Sequence, residues 1–326
     1  MAVKQVPTSH KTLTAAATFT TVAVLGVAWA EAGPVTKASH THRSAGAPSV
    51  TLPPRHARFD YQIGGAYRPP TGVRIVSRDR EAAPASGLYN ICYVNAFQVQ
   101  PGERHKWARD LLLRDADGKL VIDEDWNEPL LDIRTADKRR RIAKKVNGWI
   151  DGCAAKGFDA VEPDNYDSFS RSKKLLKKDD AKRYIKLLAD HSHARRLAVG
   201  QKNTVELAPA AKALGLDFAV AEECGQYREC GDYTKSFGRR IVDIEYTDAG
   251  MRRACDGWGD KVGIVRRDRD VTPAGSSKHV FRTCWTPSRA AAARGTGPTL
   301  AARHAGGTPC GRGDCGPCAA GPGRRR

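Results

Sequence analysis

Eight short apolar runs with room for helices between most of them are what most constrain the fold of this chain. They are Tyr61-Gln-Ile-Gly64, Val73-Arg-Ile-Val76, Asn90-Ile-Cys-Tyr-Val94, Phe158 to Val161, Leu197-Ala-Val-Gly200, Phe218-Ala-Val-Ala221, Ile241-Val-Asp-Ile244 and Val262-Gly-Ile-Val265. Each has the length and branched character of a buried strand. Ala136 to Lys156 spaces Ile142, Val146, Trp149, Ile150 and Cys153 at three and four residues, with Gly157 as a C-terminal cap. Asp179 to Arg196 repeats the pattern with Ala181, Tyr184, Ile185, Leu188 and Ala189, and Thr204 to Leu214 is a shorter helix closed by Gly215. Strand alternating with helix predicts an α/β fold, and eight strands are the number that closes a parallel barrel. No Gly-rich phosphate turn follows the first run, which argues against an open nucleotide-binding sheet. The expected fold is one (β/α)8 TIM-like barrel. The front half is less regular, and its long loops carry Trp107 and Trp126, which are expected beside a substrate cleft.

The domain is expected to run from 59 to 285. Residues 1–32 read as a signal peptide: Lys4, His10 and Lys11 precede an uncharged run from Thr12 to Ala30 that ends in Ala28-Trp29-Ala30, with cleavage after Ala30 or Ala32. Residues 33–58 are a linker rich in Pro, Ser, Thr, His and Ala, and residues 286–326 are an Ala-, Gly-, Arg- and Pro-rich tail with little to bury; both are expected to be disordered. The expectation is therefore a secreted monomer with no stable membrane insertion after cleavage.

Nine cysteines in an exported chain point to disulfides. Six fall in the domain, where Cys224 and Cys230 would close a small loop and the other pairings stay open. Cys310, Cys315 and Cys318 in the tail lack a fourth metal ligand, so no metal or cofactor is expected. The net charge of +18 would suit nucleic acid, but seven Arg against one Asp lie in the tail from Thr286. Much of the rest sits in helical runs such as Lys138 to Arg141, and no basic run is interleaved with aromatics that would stack bases. Nucleic acid is not the expected partner.

The chemistry concentrates at the ends of the runs. Ala160-Val-Glu162-Pro-Asp164-Asn165 delivers two carboxylates on one strand face to a C-terminal rim, with Pro163 expected to stop the strand. Asp79, Asn95, Lys202, Asn203, Glu222, Glu223, Glu245 and Tyr246 stand at or just beyond other strand ends, where such barrels do their chemistry. There is no Gly-x-Ser-x-Gly elbow, phosphate loop or His-Glu-x-x-His pair. Several carboxylates without these suit glycoside hydrolysis, which needs an acid and a nucleophile or base across one bond.

The phrases Gly157-Phe-Asp-Ala-Val-Glu-Pro-Asp164-Asn165, Gly200-Gln-Lys202-Asn203, Asp217-Phe-Ala-Val-Ala-Glu222-Glu-Cys224, Glu229-Cys230 and Ile244-Glu245-Tyr246 resemble the endo-α-1,4-polygalactosaminidase family of glycoside hydrolases. The resemblance spans Phe59 to Cys284. It implies a TIM-like barrel that cuts α-1,4-linked galactosamine polymers internally, with Asp164 and Glu222 as the catalytic carboxylates. Where the family usually has Gln, this chain has Glu223, and an extended strand end would let only one of Glu222 and Glu223 enter the mouth. Asp164 is expected to serve as nucleophile and Glu222 as an acid with a raised pKa. Glu162, Asn165, Lys202, Asn203, Glu245, Tyr246, Asp79 and Asn95 are expected to bind the polysaccharide or tune the pair. Hydrolysis of another α-linked galactose or N-acetylgalactosamine glycan, or non-catalytic carbohydrate binding, are the alternatives.

Overall fold

The computed structural model describes residues 49–284, so the expected signal peptide, the first part of the expected linker and the expected tail lie outside the described residues. Eight strands run parallel in one sheet: β1 (Phe59–Gln62), β2 (Ile75–Asp79), β3 (Tyr89–Asn95), β6 (Ala160–Asp164), β7 (Ala198–Lys202), β8 (Phe218–Glu222), β9 (Ile241–Glu245) and β10 (Gly263–Arg267). β11 (Phe281–Thr283) adds an antiparallel edge to β10. Between β3 and the first helix the chain makes a small separate hairpin, β4 (Ile122–Asp123) with β5 (Glu128–Pro129). Each of the eight expected runs overlaps a strand; β1 lies two residues earlier than its run, and β2, β3 and β6 to β10 each extend beyond the apolar run into the polar residues that follow it.

The sheet is nearly closed. Gly263 at the start of β10 faces the chain entering β1 so closely that a Cβ there would lie 2.4 Å from the Ala57 carbonyl oxygen, which only glycine permits. Further up, Arg267 of β10 donates to Asp60 of β1 at 3.2 Å, and both side chains are fully buried. The packed domain also starts earlier than expected. Ala57 is buried and Tyr89 Oη donates to the Thr51 carbonyl, so residues from Thr51 onward already belong to the barrel floor.

Alternation along the strands separates two cores. Phe59, Tyr61, Ile75, Ile91, Ala160, Ala198, Phe218, Val220, Ile244 and Val265 fill the interior. Their neighbours Cys92, Val161, Val199, Ala219 and Ile241 face outward, where α1 (Ala136–Lys156) contributes Ile142, Val146 and Ile150 and α3 (Lys178–Ala194) contributes Tyr184, Ile185 and Leu188. Each such side chain stabilises the fold by roughly 1.5–3 kcal/mol when fully buried. α1 begins where the Thr135 side chain accepts from the Lys138 N–H and ends at Gly157, whose φ of 87° is the left-handed cap that glycine allows. The short helix α4 (Ala211–Leu214) follows a 3-10 turn over Val205–Ala210, so the helix expected from Thr204 is only α-helical in its last turn. The remaining helices are α2 (Ser168–Arg171), α5 (Cys224–Tyr227), α6 (Cys230–Phe237) and α7 (Asp248–Trp258).

Pro163 does not end its strand. β6 continues to Asp164 because it pairs with β3 as far as Asn95, whereas its pairing with β7 stops at Val161. A missing N–H beyond that point leaves the β7 ladder intact. Three disulfides are formed: Cys224–Cys230 as expected, Cys92–Cys153 joining β3 to α1, and Cys255–Cys284 joining α7 to the end of β11. No helix among the described residues is long and apolar enough to cross a membrane.

Candidate active site

The C-terminal ends of the strands open on a cavity of about 520 Å³ lined by eight carboxylates and three cations. Lys202, the last residue of β7, forms its floor. Its Nζ lies 3.3 Å from Asp164 Oδ2, 3.3 Å from Glu222 Oε2 and 3.7 Å from Glu162 Oε1, and it donates to Tyr61 Oη at 3.0 Å. Burial alone would drive off the proton of this ammonium, but Asp164, Glu222 and Glu162 outweigh it and hold the lysine well above its ordinary value. Because one nitrogen touches both carboxylates, the bridged oxygens of Asp164 and Glu222 stand no more than twice 3.3 Å apart.

Both carboxylates are held on each oxygen. Asp164 Oδ2 accepts from Tyr93 Oη at 2.9 Å, and its Oδ1 accepts from the Asn165 N–H at 2.7 Å. Glu222 Oε1 accepts from Tyr246 Oη, and its Oε2 accepts from Asn203 Nδ2 at 2.7 Å while Asn203 Oδ1 takes the Glu222 N–H at 2.7 Å. Burial raises the Glu222 carboxyl, yet Lys202 and the hydrogen bonds from Tyr246 and Asn203 prevail and leave it below the usual glutamate value. The raised acid expected from sequence is therefore not found in the resting site. Each group in direct contact with the Glu222 carboxylate, Lys202, Tyr246 and Asn203, is a donor aimed at the ionised form.

The turns that follow these side chains are sharp. Asn165, Asn203 and Glu223, each one residue past a strand end, have φ of 70°, 45° and 60°. Asparagine tolerates this left-handed conformation; glutamate does so less readily, and strain of this kind gathers at functional sites. The turn at Glu223 overturns the expectation that only one of Glu222 and Glu223 enters the mouth, since both line the cavity. Glu222 meets Lys202 at the floor, and Glu223 pairs with Arg269 at 3.0 Å.

Among the expected site residues, Asp79, Asp164, Asn165, Lys202, Asn203, Glu222 and Tyr246 line the cavity. Glu162, Asn95 and Glu245 do not. Glu162 is fully buried beneath Lys202, accepting from Tyr61 Oη at 2.8 Å and Ser77 Oγ at 2.7 Å, and burial pushes its carboxyl up to about 7. Asn95 stands behind the wall, donating to Glu128 Oε2 at 2.8 Å and accepting from Asn165 Nδ2 at 3.0 Å. Glu245 lies on the outer face of β9, where it accepts the Gly225 N–H at 2.7 Å under α5 and α7. A Cβ at Gly250 would come 2.0 Å from its Oε2, so glycine there makes room for the carboxylate. Trp126 lines the cavity as expected, whereas Trp107 is buried against Trp149. Sequence reading missed Tyr93, Glu128 and Arg171. Tyr93 was recoverable, since it is two residues past the inward-facing Ile91. The other two come from the irregular segments and carry no such period.

A nearly closed parallel barrel with a carboxylate pair at its mouth defines an enzyme of the glycoside hydrolase class. Residues 39–288 match the profile of glycoside-hydrolase family GH114, and the chain belongs to that family, in agreement with the motif resemblance. No curated protein matches the chain. It is similar to the structure of Aspergillus fumigatus Ega3 in complex with galactosamine, at 22% identity and a TM-score of 0.58, covering 69% of this chain and 96% of that one. It is also similar to the glycoside hydrolase domain of PelA from Pseudomonas aeruginosa, at 15% identity and a TM-score of 0.50, covering 68% of this chain and 97% of that one. Both likenesses bear on the fold.

Proposed function

We propose that this protein is a secreted hydrolase that cuts α-1,4-linked galactosamine polymers within the chain and retains the anomeric configuration. The observation that carries the reading is the Lys202 ammonium 3.3 Å from both Asp164 and Glu222. Inverting pairs stand about 6.5–9.5 Å apart and retaining pairs about 5–5.5 Å, and a shared cation that limits the bridged oxygens to twice 3.3 Å favours the shorter separation. Asp164 attacks the anomeric carbon as Glu222 gives its proton to the leaving oxygen. Glu222 then takes a proton from the water that displaces Asp164, which restores both groups. Tyr93 and the Asn165 N–H orient Asp164, and Asn203 and Tyr246 orient Glu222.

An acidic mouth on a basic protein favours a cationic sugar over neutral galactose or N-acetylgalactosamine. Ega3, which is similar in fold, was solved with galactosamine, and this supports the same substrate class. The leader-like residues 1–32 and the three disulfides support export. The test is incubation of the purified protein with galactosamine, N-acetylgalactosamine and galactose oligomers, followed by product mass and anomer analysis. Internal cleavage of the galactosamine series with α-anomeric products is expected. Binding without new reducing ends, or β-anomeric products, would overturn the hydrolase or the retaining mechanism respectively.

A further inference from the structure

Three large apolar side chains are exposed among the described residues, Trp126 at 61%, Tyr227 at 64% and Leu187 at 37%, and the first two line the cavity. They reach it from well-separated parts of the barrel. Trp126 sits in the turn of the β4–β5 hairpin that follows β3, and Tyr227 closes α5 after β8, with β6 and β7 between those strands in the sheet. Asp164 thus ends a strand that lies between those preceding the two rings, and Glu222 ends β8, five residues before Tyr227.

Each ring is followed two residues later by a carboxylate that lines the same cavity, Glu128 and Glu229. Several other acids there have cations: Glu223 has Arg269, Asp167 has Arg171 and Asp270 has Lys278, while Asp79 accepts the Glu81 N–H instead. Neither Glu128 nor Glu229 has an ion pair among the described residues. Glu128 is only 9% exposed, with one oxygen held by Asn95 and no protein donor on the other. Burial pushes this carboxyl up to about 7, and a ligand ammonium against its open oxygen would favour the ionised form.

We infer that Trp126 with Glu128, and Tyr227 with Glu229, form two subsites flanking the catalytic pair, each taking one free-amine hexosamine unit of a longer chain. The sugar's C–H face covers the ring, and its ammonium meets the carboxylate. The inference rests on the proposed substrate class and extends it to how the polymer is held.

Kinetics on galactosamine oligomers of increasing length, with melting curves to verify folding, provide the test. Trp126→Ala and Tyr227→Ala are each expected to lower kcat/KM by about tenfold on long oligomers, with the loss growing with chain length. Glu128→Gln and Glu229→Gln should narrow the preference for free-amine over N-acetylated oligomers. Folded aromatic variants whose loss is the same at every length, or acid variants that keep the wild-type preference, would overturn the subsites while leaving the hydrolase reading intact. A wild-type protein that cuts no galactosamine oligomer would instead remove the reading on which they rest.

Discussion

Hydration of the Lys202 ammonium is lost at 2% side-chain exposure, and three carboxylates and a tyrosine hydroxyl replace it. Removing one partner of such a buried cluster leaves uncompensated charge, which costs about 3–5 kcal/mol. Lys202→Met is therefore expected to lower stability by that amount and to suppress hydrolysis, as denaturant melts and reducing-end assays would record. An unchanged melt would mean that the carboxylates are not held as described. Asp164→Asn and Glu222→Gln keep shape and remove a charge or a transferable proton, so turnover should fall by about 10²–10⁴-fold or more with oligomer binding retained. Glu223→Gln should be much milder because its partner Arg269 is an exposed side chain, away from Lys202. The direction at Glu222 also sets a pH dependence. With its carboxyl below the usual value in the free enzyme, the protonated acid becomes more abundant as pH falls, so kcat/KM should be larger in mild acid than above neutrality. A pH profile of kcat/KM that rises toward alkali would assign the proton donor elsewhere.

The elements differ in how they secure the site. The Cys92–Cys153 bond closes 61 residues between β3 and α1, while Cys224–Cys230 closes six residues immediately past Glu222. Loop-closure entropy assigns about 4 kcal/mol to the first and about 2 kcal/mol to the second. Replacing Cys92 and Cys153 by Ala should thus cost more stability, and replacing Cys224 and Cys230 more activity. Melting temperature and kcat/KM on the two double variants would reveal the opposite order if α5 holds its place without the bond. Beneath α5, burial raises the carboxyls of Asp243 and Glu245, and the charge of Glu245 raises Asp243 further. The sequence places Glu245 at the mouth because it stands at the C-terminal end of its strand, whereas Asp243 and Glu245 both lie on the outer face of β9. Here they accept the N–H groups of Cys224 and Gly225 at the start of α5.

For the whole molecule, burial pushes Glu128 and Glu162 up to about 7, and Asp243 and Glu245 are raised as well. A carboxyl raised in the native state binds more protons there than when unfolded, so its contribution is complete below the unfolded value and is lost as pH rises through the folded one. Stability is expected to fall as pH rises from about 4.5 through 7. Calorimetric melting across that range measures it, and Glu162→Gln should flatten the fall; a rising melting temperature would contradict the burial of these acids.

Eight strands, the principal helices, the C-terminal rim and the placing of Glu162 and Asp164 on one face can be read from the residue pattern. Those features follow from local periods of two and about 3.6 residues, and a period is legible without knowing what lies across the core. The rest depends on packing between elements far apart in the chain. Whether Glu245 points in or out depends on the helices that close over β9, and Glu223 reaches the mouth only because its backbone turns left-handed. Trp126 and Glu128 reach the cavity from a hairpin outside the barrel, and Tyr227 and Glu229 meet them across it, because closure brings residues about a hundred positions apart around one set of strand ends.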